Sequence, residues 1–186
     1  MVKIINAALP GVIELALDCY ADTRGFFMET YQQERFEDLG IHCRFVQDNL
    51  SHSYRGVLRG LHYQHPHPQA KLVQVLAGEI FDVVVDIRRG SASFGKWAGA
   101  ILSEENNHLL YVPEGFAHGF CCISERALVH YKCSDFYSPA CEGGILWADP
   151  DLSIDWPVKT PVISEKDSRY RFLRDLPIER LPVYEG

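Results

Sequence analysis

Arg59-Gly60-Leu61-His62-Tyr63-Gln64 and, further along, Pro113-Glu114-Gly115-Phe116-Ala117-His118-Gly119 each set a histidine inside or at the start of a β-type run beside glycines. At such glycines the backbone turns tightly and a ligand can come close. Working outward from them, the chain from Val12 to about Ser134 is a succession of short β-rich runs divided by Gly, Pro, Asn, Asp or Ser clusters. That spacing predicts a sandwich or barrel. The expected strands are 12–17, 25–31, 44–51, 58–64, 71–76, 80–87, 97–102, 108–112, 119–123 and 128–133. One early helix is expected at 32–39, closed by Gly40. Ala77-Gly78-Glu79, between two apolar runs, reads as a hairpin. In Phe81-Asp82-Val83-Val84-Val85-Asp86 the two aspartates fall on one face and Val83 and Val85 on the other, which predicts a central strand with a polar, inward or cavity-facing side.

After Ser138 the pattern changes to Pro-, Gly- and Trp-rich turns without a clean strand period, and this tail is expected to pack over the barrel mouth. Ser164-Glu165-Lys166-Asp167-Ser168 offers Ser164 or Asp167 as the cap of a short last helix. The 186 residues suffice for one domain, 1–186, with a core that needs neither disulfides nor metals as staples. With 18 Lys and Arg against 25 Asp and Glu, the net charge of −7 argues against a nucleic-acid-binding surface, so an anionic ligand must meet a local basic cluster. Cys19, Cys43, Cys121, Cys122, Cys133 and Cys141 fall on no paired metal spacing, and Met1-Val2-Lys3-Ile4-Ile5 is too soon broken for a secretory signal. Reduced thiols and a cytoplasmic setting are expected. No apolar run approaches the roughly 20 residues that span a bilayer.

Several polar residues invite two readings each. His62 in an apolar-alternating strand is either a satisfied core histidine or a base; Arg59 and Lys71 nearby would disfavour the imidazolium if they point inward, and are solvated charges if they point outward. Tyr131, in a strand running into a turn, either packs or serves as a phenolic acid that carries its proton at pH 7. His65 and His67 alternate with Pro66 and Pro68 in an extended loop; they face solvent, or join His62 and His118, with Glu79 and Asp82, in a metal site. Arg24 and Glu29 flank Phe26 and Phe27 at a strand entry, where core packing accounts for the rings.

The two histidine segments resemble the halves of a cupin barrel. In the usual metal-binding cupin the first half supplies two histidines one residue apart and a glutamate, and the second half another histidine. Here Gln64 stands two after His62, so the resemblance implies that the second imidazole is missing and that His62 is free for proton chemistry. The match then narrows. Asp22-Thr23-Arg24-Gly25-Phe26-Phe27, Phe45-Val46-Gln47-Asp48-Asn49, Val57-Leu58-Arg59-Gly60-Leu61-His62, Gln69-Ala70-Lys71-Leu72-Val73, Phe94-Gly95-Lys96-Trp97, Tyr131-Lys132-Cys133 and Ser164-Glu165-Lys166-Asp167 resemble, in order, the dTDP-4-dehydrorhamnose 3,5-epimerase family, over about Ile4 to Asp167.

The resemblance implies an all-β, cupin-type jelly-roll barrel with a few short helices, without metal or other cofactor, acting on a dTDP-sugar. It implies His62 as general base, Asp167 as its dyad partner, Tyr131 as general acid and Lys71 beside the sugar carbonyl. It further implies Arg24, Glu29, Gln47, Asn49, Arg59, His118, Glu142 and Lys166 along the nucleotide-sugar site, with Phe27 or Tyr137 stacking on thymine. Arg24 and its strand would reach into a neighbouring subunit, making a homodimer. The loop 64–69 is a residue shorter than expected of typical members and borders the site. Other readings are a mono-epimerase of another dTDP-4-keto-deoxysugar, a metal cupin with His62 and His118 as ligands, and a non-enzymatic sugar-binding cupin.

Overall fold

A computed structural model describes residues 2–184; Met1, Glu185 and Gly186, the outermost residues of the expected 1–186 domain, lie outside the described residues. Thirteen strands form among them: β1 (Val2–Asn6), β2 (Ile13–Leu17), β3 (Cys19–Asp22), β4 (Gly25–Met28), β5 (Gln47–Tyr54), β6 (Leu58–Gln64), β7 (Lys71–Ala77), β8 (Glu79–Asp86), β9 (Trp97–Ser103), β10 (His108–Val112), β11 (Phe116–Cys122), β12 (Arg126–Cys133) and β13 (Glu142–Gly144). Helices α1 (Gln33–Glu37) and α2 (Glu165–Ser168) are short. A six-stranded sheet runs β1-β2-β10-β7-β12-β5 and faces a five-stranded sheet, β13-β6-β11-β8-β9; β3 and β4 form a separate ribbon. The pairings within all three are antiparallel, the arrangement of a cupin-like jelly roll.

Period-2 alternation sorts the side chains into three apolar layers. Val73, Val75, Val84, Leu110, Phe120 and Val129 meet between the sheets. On the outer face of the six-stranded sheet, Leu15, Leu72 and Leu109 pack under Phe36 of α1, whose burial contributes about 1.5–3 kcal/mol. On the outer face of the five-stranded sheet, Leu61, Val83 and Val85 pack against Ile145, Leu152, Leu173 and Leu181 of the tail. β11, flanked by β6 and β8 and covered on both faces, is buried along its whole length.

The expected helix is Gln33–Glu37, its N-cap Gln32 accepting the Arg35 N–H at 2.7 Å. Of the expected strands, 58–64 and 108–112 match to the residue. The strand expected at 25–31 stops at Met28, that at 44–51 occupies Gln47–Tyr54, and that at 119–123 starts at Phe116. β1, β3 and β13 were not expected. β13 contains two glycines and no β-former, and its pairing with β6 is a tertiary event. The tail also departs from expectation: it lies mainly on the outer face of the five-stranded sheet, because its apolar residues complete the layer around Val83 and Val85, and only Glu142 and the 162–167 portion reach the cavity. Asp82 does point inward, to His118. No helix among the described residues is long and apolar enough to cross a membrane.

Asp86, fully buried at the end of β8, organises the following turn. Its carboxylate accepts from Arg88 Nη2 at 2.7 Å, Ser91 Oγ at 2.6 Å and Ser93 Oγ at 2.7 Å. Burial alone would raise its pKa, but these donors win and lower it from 3.8 to about 2. A carboxylate whose folded pKa is depressed stabilises the fold above its unfolded pKa, and that contribution is lost as the pH falls toward the folded value. Asp86→Asn should therefore lower the urea midpoint at neutral pH. The unaltered protein should lose about 2 kcal/mol between pH 4 and pH 2 through this group, a slope that urea titrations will find reduced in the variant.

Candidate active site

A cavity of about 730 Å³ opens between the two sheets at their polar end. From the five-stranded sheet come His62 on β6 and His118 on β11, cross-strand partners in register. His62 Nε2 lies 2.8 Å from Asp167 Oδ1. The carboxylate's other oxygen accepts the Gly60 N–H at 3.3 Å, and the Asp167 N–H donates to Ser164 Oγ, the cap of α2, at 3.0 Å. Asp167 is 3 % exposed. Burial pushes its carboxyl up, yet the His62 hydrogen bond and charge, the Gly60 amide and Ser164 together hold it below the usual value. An ionised Asp167 requires a proton on Nε2, and in the neutral imidazole the lone pair then lies on Nδ1. His118 is differently engaged: its Nε2 sits 2.9 Å from both oxygens of buried Asp82.

From the six-stranded sheet come Lys71, Tyr131, Cys133, Gln47 and Asn49, all lining the cavity. Register places Cys133 between Gln47 and Lys71, and Tyr131 between Asn49 and Val73. Gln47 Nε2 donates to Asn49 Oδ1 at 3.1 Å, and Asn49 Nδ2 to Cys133 Sγ at 3.5 Å. The Lys71 ammonium makes no hydrogen bond or ion pair with another side chain among the described residues. Burial lowers its pKa against the opposing pull of Cys133, Asp82 and Glu142. Burial raises the Tyr131 phenol, with Cys133 adding to the effect and Arg59 opposing it. The cavity thus holds an oriented imidazole on one sheet and, on the other, a phenol that keeps its proton and a cation without a counter-ion.

Around the rim, Glu142 accepts from Lys166 Nζ at 2.7 Å and from Tyr137 Oη at 3.1 Å. Arg59 lines the cavity while its Nε donates to Ser53 Oγ at 3.0 Å and its Nη2 to the His52 carbonyl at 3.0 Å. Gln64, 6 % exposed, ties down the segment carrying Tyr137: its Nε2 donates to the His67 and Phe136 carbonyls, and its Oε1 accepts the Ser138 N–H at 2.7 Å. In the sequence Gln64 reads as a missing ligand and as the start of a loop bordering the site, not as this anchor. Cys133 and Asn49's contact with it also went unnoticed, since an apolar-alternating strand ending in Cys carries no local mark of a cavity.

Arg24, Phe27 and Glu29 are not brought into this chain's own cavity. They lie on or beside the β3–β4 ribbon, where Arg24 pairs with Asp22 at 2.6 Å, Glu29 with Arg35 at 2.5 Å, and Phe27 is 68 % exposed. The His65 and His67 loop does not join His62 either; His67 leans toward Asp135 at 3.7 Å. Among the described residues no three His, Cys, Asp or Glu side chains converge in a way that could hold a metal ion.

Comparison with known proteins agrees with this geometry. The family profile described as dTDP-4-dehydrorhamnose 3,5-epimerase matches residues 6–175. The chain is 49 % identical over 179 residues to the dTDP-4-dehydrorhamnose 3,5-epimerase of Methanothermobacter thermautotrophicus, covering 95 % of this chain and 97 % of that one. It is 45 % identical over 161 residues to a dTDP-4-dehydrorhamnose 3-epimerase of Streptomyces niveus, covering 86 % and 78 %. The crystal structure of a Legionella pneumophila dTDP-6-deoxy-D-glucose-3,5-epimerase in complex with dTDP-4-keto-L-rhamnose superposes with a TM-score of 0.97 at 49 % identity, over 100 % of both chains. With the fold, the dyad and these matches in agreement, the chain belongs to the dTDP-4-dehydrorhamnose 3,5-epimerase family.

Proposed function

We propose that this protein, as a single domain over 1–186, inverts C3 and C5 of dTDP-4-dehydro-6-deoxy-D-glucose to form dTDP-4-dehydro-L-rhamnose, on the way to dTDP-L-rhamnose. The observation that carries the reading is the His62–Asp167 dyad opposed, across one cavity, by Tyr131 and by Lys71 without a counter-ion. A C4 ketone acidifies the hydrogens on C3 and C5, because loss of either leaves an enolate whose charge rests on the C4 oxygen. His62, oriented by Asp167, takes the proton through its free nitrogen. Lys71 stabilises the oxyanion, and the water-poor setting that lowers its pKa also strengthens that attraction. Tyr131, on the opposing sheet, returns a proton from the other face of the ring. One base and one acid so arranged serve both carbons in turn.

Arg59, Lys166, Gln47, Asn49, His118 and Glu142 would then hold the nucleotide-sugar, with Tyr137 against the thymine. The exposed ribbon supports a homodimer in which Arg24, Phe27 and Glu29 serve the neighbouring subunit's site; Phe26 and Phe27 are 69 % and 68 % exposed, more apolar surface than a free ribbon favours. A cytoplasmic location suits a biosynthetic step on a nucleotide-sugar. The similarity to a 3-epimerase supports a second reading, in which only C3 is inverted by the same base and acid.

Incubation with the 4-keto sugar nucleotide in heavy water, followed by proton NMR, separates the two readings. Deuterium at both C3 and C5 is expected, and label confined to one carbon would establish the mono-epimerase. His62→Asn should lower turnover by roughly 10²–10⁴-fold. Lys71→Ala should lose on the order of a hundredfold or more in kcat while keeping its fold; near-normal turnover would count against the oxyanion role. Because the charged form of Lys71 is the active one and its pKa is lowered, kcat of the unaltered protein should start to fall at a pH below the ordinary lysine value of 10.5, as a pH–rate profile will reveal.

A further inference from the structure

The cross-strand partner of His62 on β13 is Gly144. A Cβ at Gly144 would lie 2.2 Å from Cε2 and 2.3 Å from Cζ of Tyr170, so the space a side chain would fill is occupied by the tyrosine ring. That ring meets the His62 imidazole edge to face, with centroids 5.8 Å apart and planes at 71°. Pairs of this geometry are attractive and directional. Tyr170 follows Asp167 by three residues and is held from both sides. Upstream, Ser164 caps α2. Downstream, Arg171 bridges to Ile145, and its carbonyl accepts the Leu146 N–H at 2.9 Å.

Tyr170 does not line the cavity, and its hydroxyl is buried without a hydrogen-bond partner among the described residues. Neither substrate contact nor a hydroxyl bond accounts for its seating. What remains is the ring, wedged between the strand pair that carries His62 and the short helix that carries Asp167.

We infer that Tyr170 is a positioning residue for the epimerisation: its ring, in the slot that Gly144 leaves open, fixes the plane of His62 so that Nε2 stays on Asp167 and the other ring nitrogen stays free for the substrate. An imidazole able to rotate about its side-chain bonds spends part of its time off the carboxylate, and catalysis falls although substrate still binds. The glycine and the tyrosine are thus one device, a side chain supplied to β13 from elsewhere in the chain.

The test compares Tyr170→Leu, Gly144→Ala and Tyr170→Phe in the full-length protein. Tyr170→Leu removes the ring, and Gly144→Ala pushes it out while leaving it in the chain. Both should lower kcat tenfold or more with KM within twofold, and both should broaden or abolish the downfield proton resonance of the His62 Nε2–H bonded to Asp167. Tyr170→Phe, which restores the ring without the hydroxyl, should restore kcat to within twofold and bring back the resonance. Unchanged kcat and resonance in the first two variants overturns the inference, as does a Phe variant impaired as much as the Leu variant, or a loss carried by KM. The inference rests on His62 acting as the base. Normal turnover in His62→Asn would sink that reading, whereas an unchanged resonance in Tyr170→Leu sinks this one whatever the turnover.

Discussion

A single hydrogen bond between residues 105 positions apart, His62 to Asp167, is the contact on which the proposed chemistry turns. Such a bond contributes only about 1.5–3 kcal/mol net even when one partner is charged, too little to hold the tail in place. Burial does that work. Ile145, Leu152, Leu173 and Leu181, at 0–7 % exposure, each contribute about 1.5–3 kcal/mol by covering the outer face of the five-stranded sheet. The apolar tail therefore delivers the carboxylate, and the carboxylate then sets the tautomer of the imidazole.

The space between the sheets is divided along the strands. At one end valines, leucines and phenylalanines fill it. At the other, the inward positions of β5, β6, β7 and β12 are Gln47, Asn49, His62, Lys71 and Tyr131, and a cavity opens there. Buried charge is costly unless it is paired. Asp82 has His118, Asp86 has Arg88 with two serines, and Asp167 has His62. Lys71 has no such partner, and its desolvation is relieved most when negative charge develops next to it. In the proposed reaction, an interaction that strengthens as the enolate forms would accelerate turnover more than one already satisfied in the resting protein.

Much of this was legible in the residues. The 58–64 and 108–112 runs carry enough alternation to be placed to the residue, and Ser164 announces its own helix by its spacing from Asp167. His62 was ambiguous by position, a core residue or a base, and the resemblance to a family, not its surroundings in sequence, brought Asp167 and Tyr131 to its side. β13 was illegible because Glu142-Gly143-Gly144 has no strand preference of its own; its glycines make sense only beside the rings of Tyr63 and Tyr170 that occupy the vacated space.

The sequence by itself determined that the chain forms short strands into an all-β barrel, that histidines lie beside glycines at two corresponding places, and that the motifs are those of one family. These are properties of neighbouring residues, since period, turn chemistry and motif are all written within a few positions. Only the tertiary structure decided that the tail lies along a sheet, that Gln64 anchors the Tyr137 segment, that a half-buried Lys71 faces the cavity without an ion-pair partner among the described residues, and that a glycine makes room for a tyrosine against the His62 imidazole. Each depends on surfaces far apart in the chain meeting at van der Waals or hydrogen-bond distance, and no local pattern encodes which distant surface will arrive.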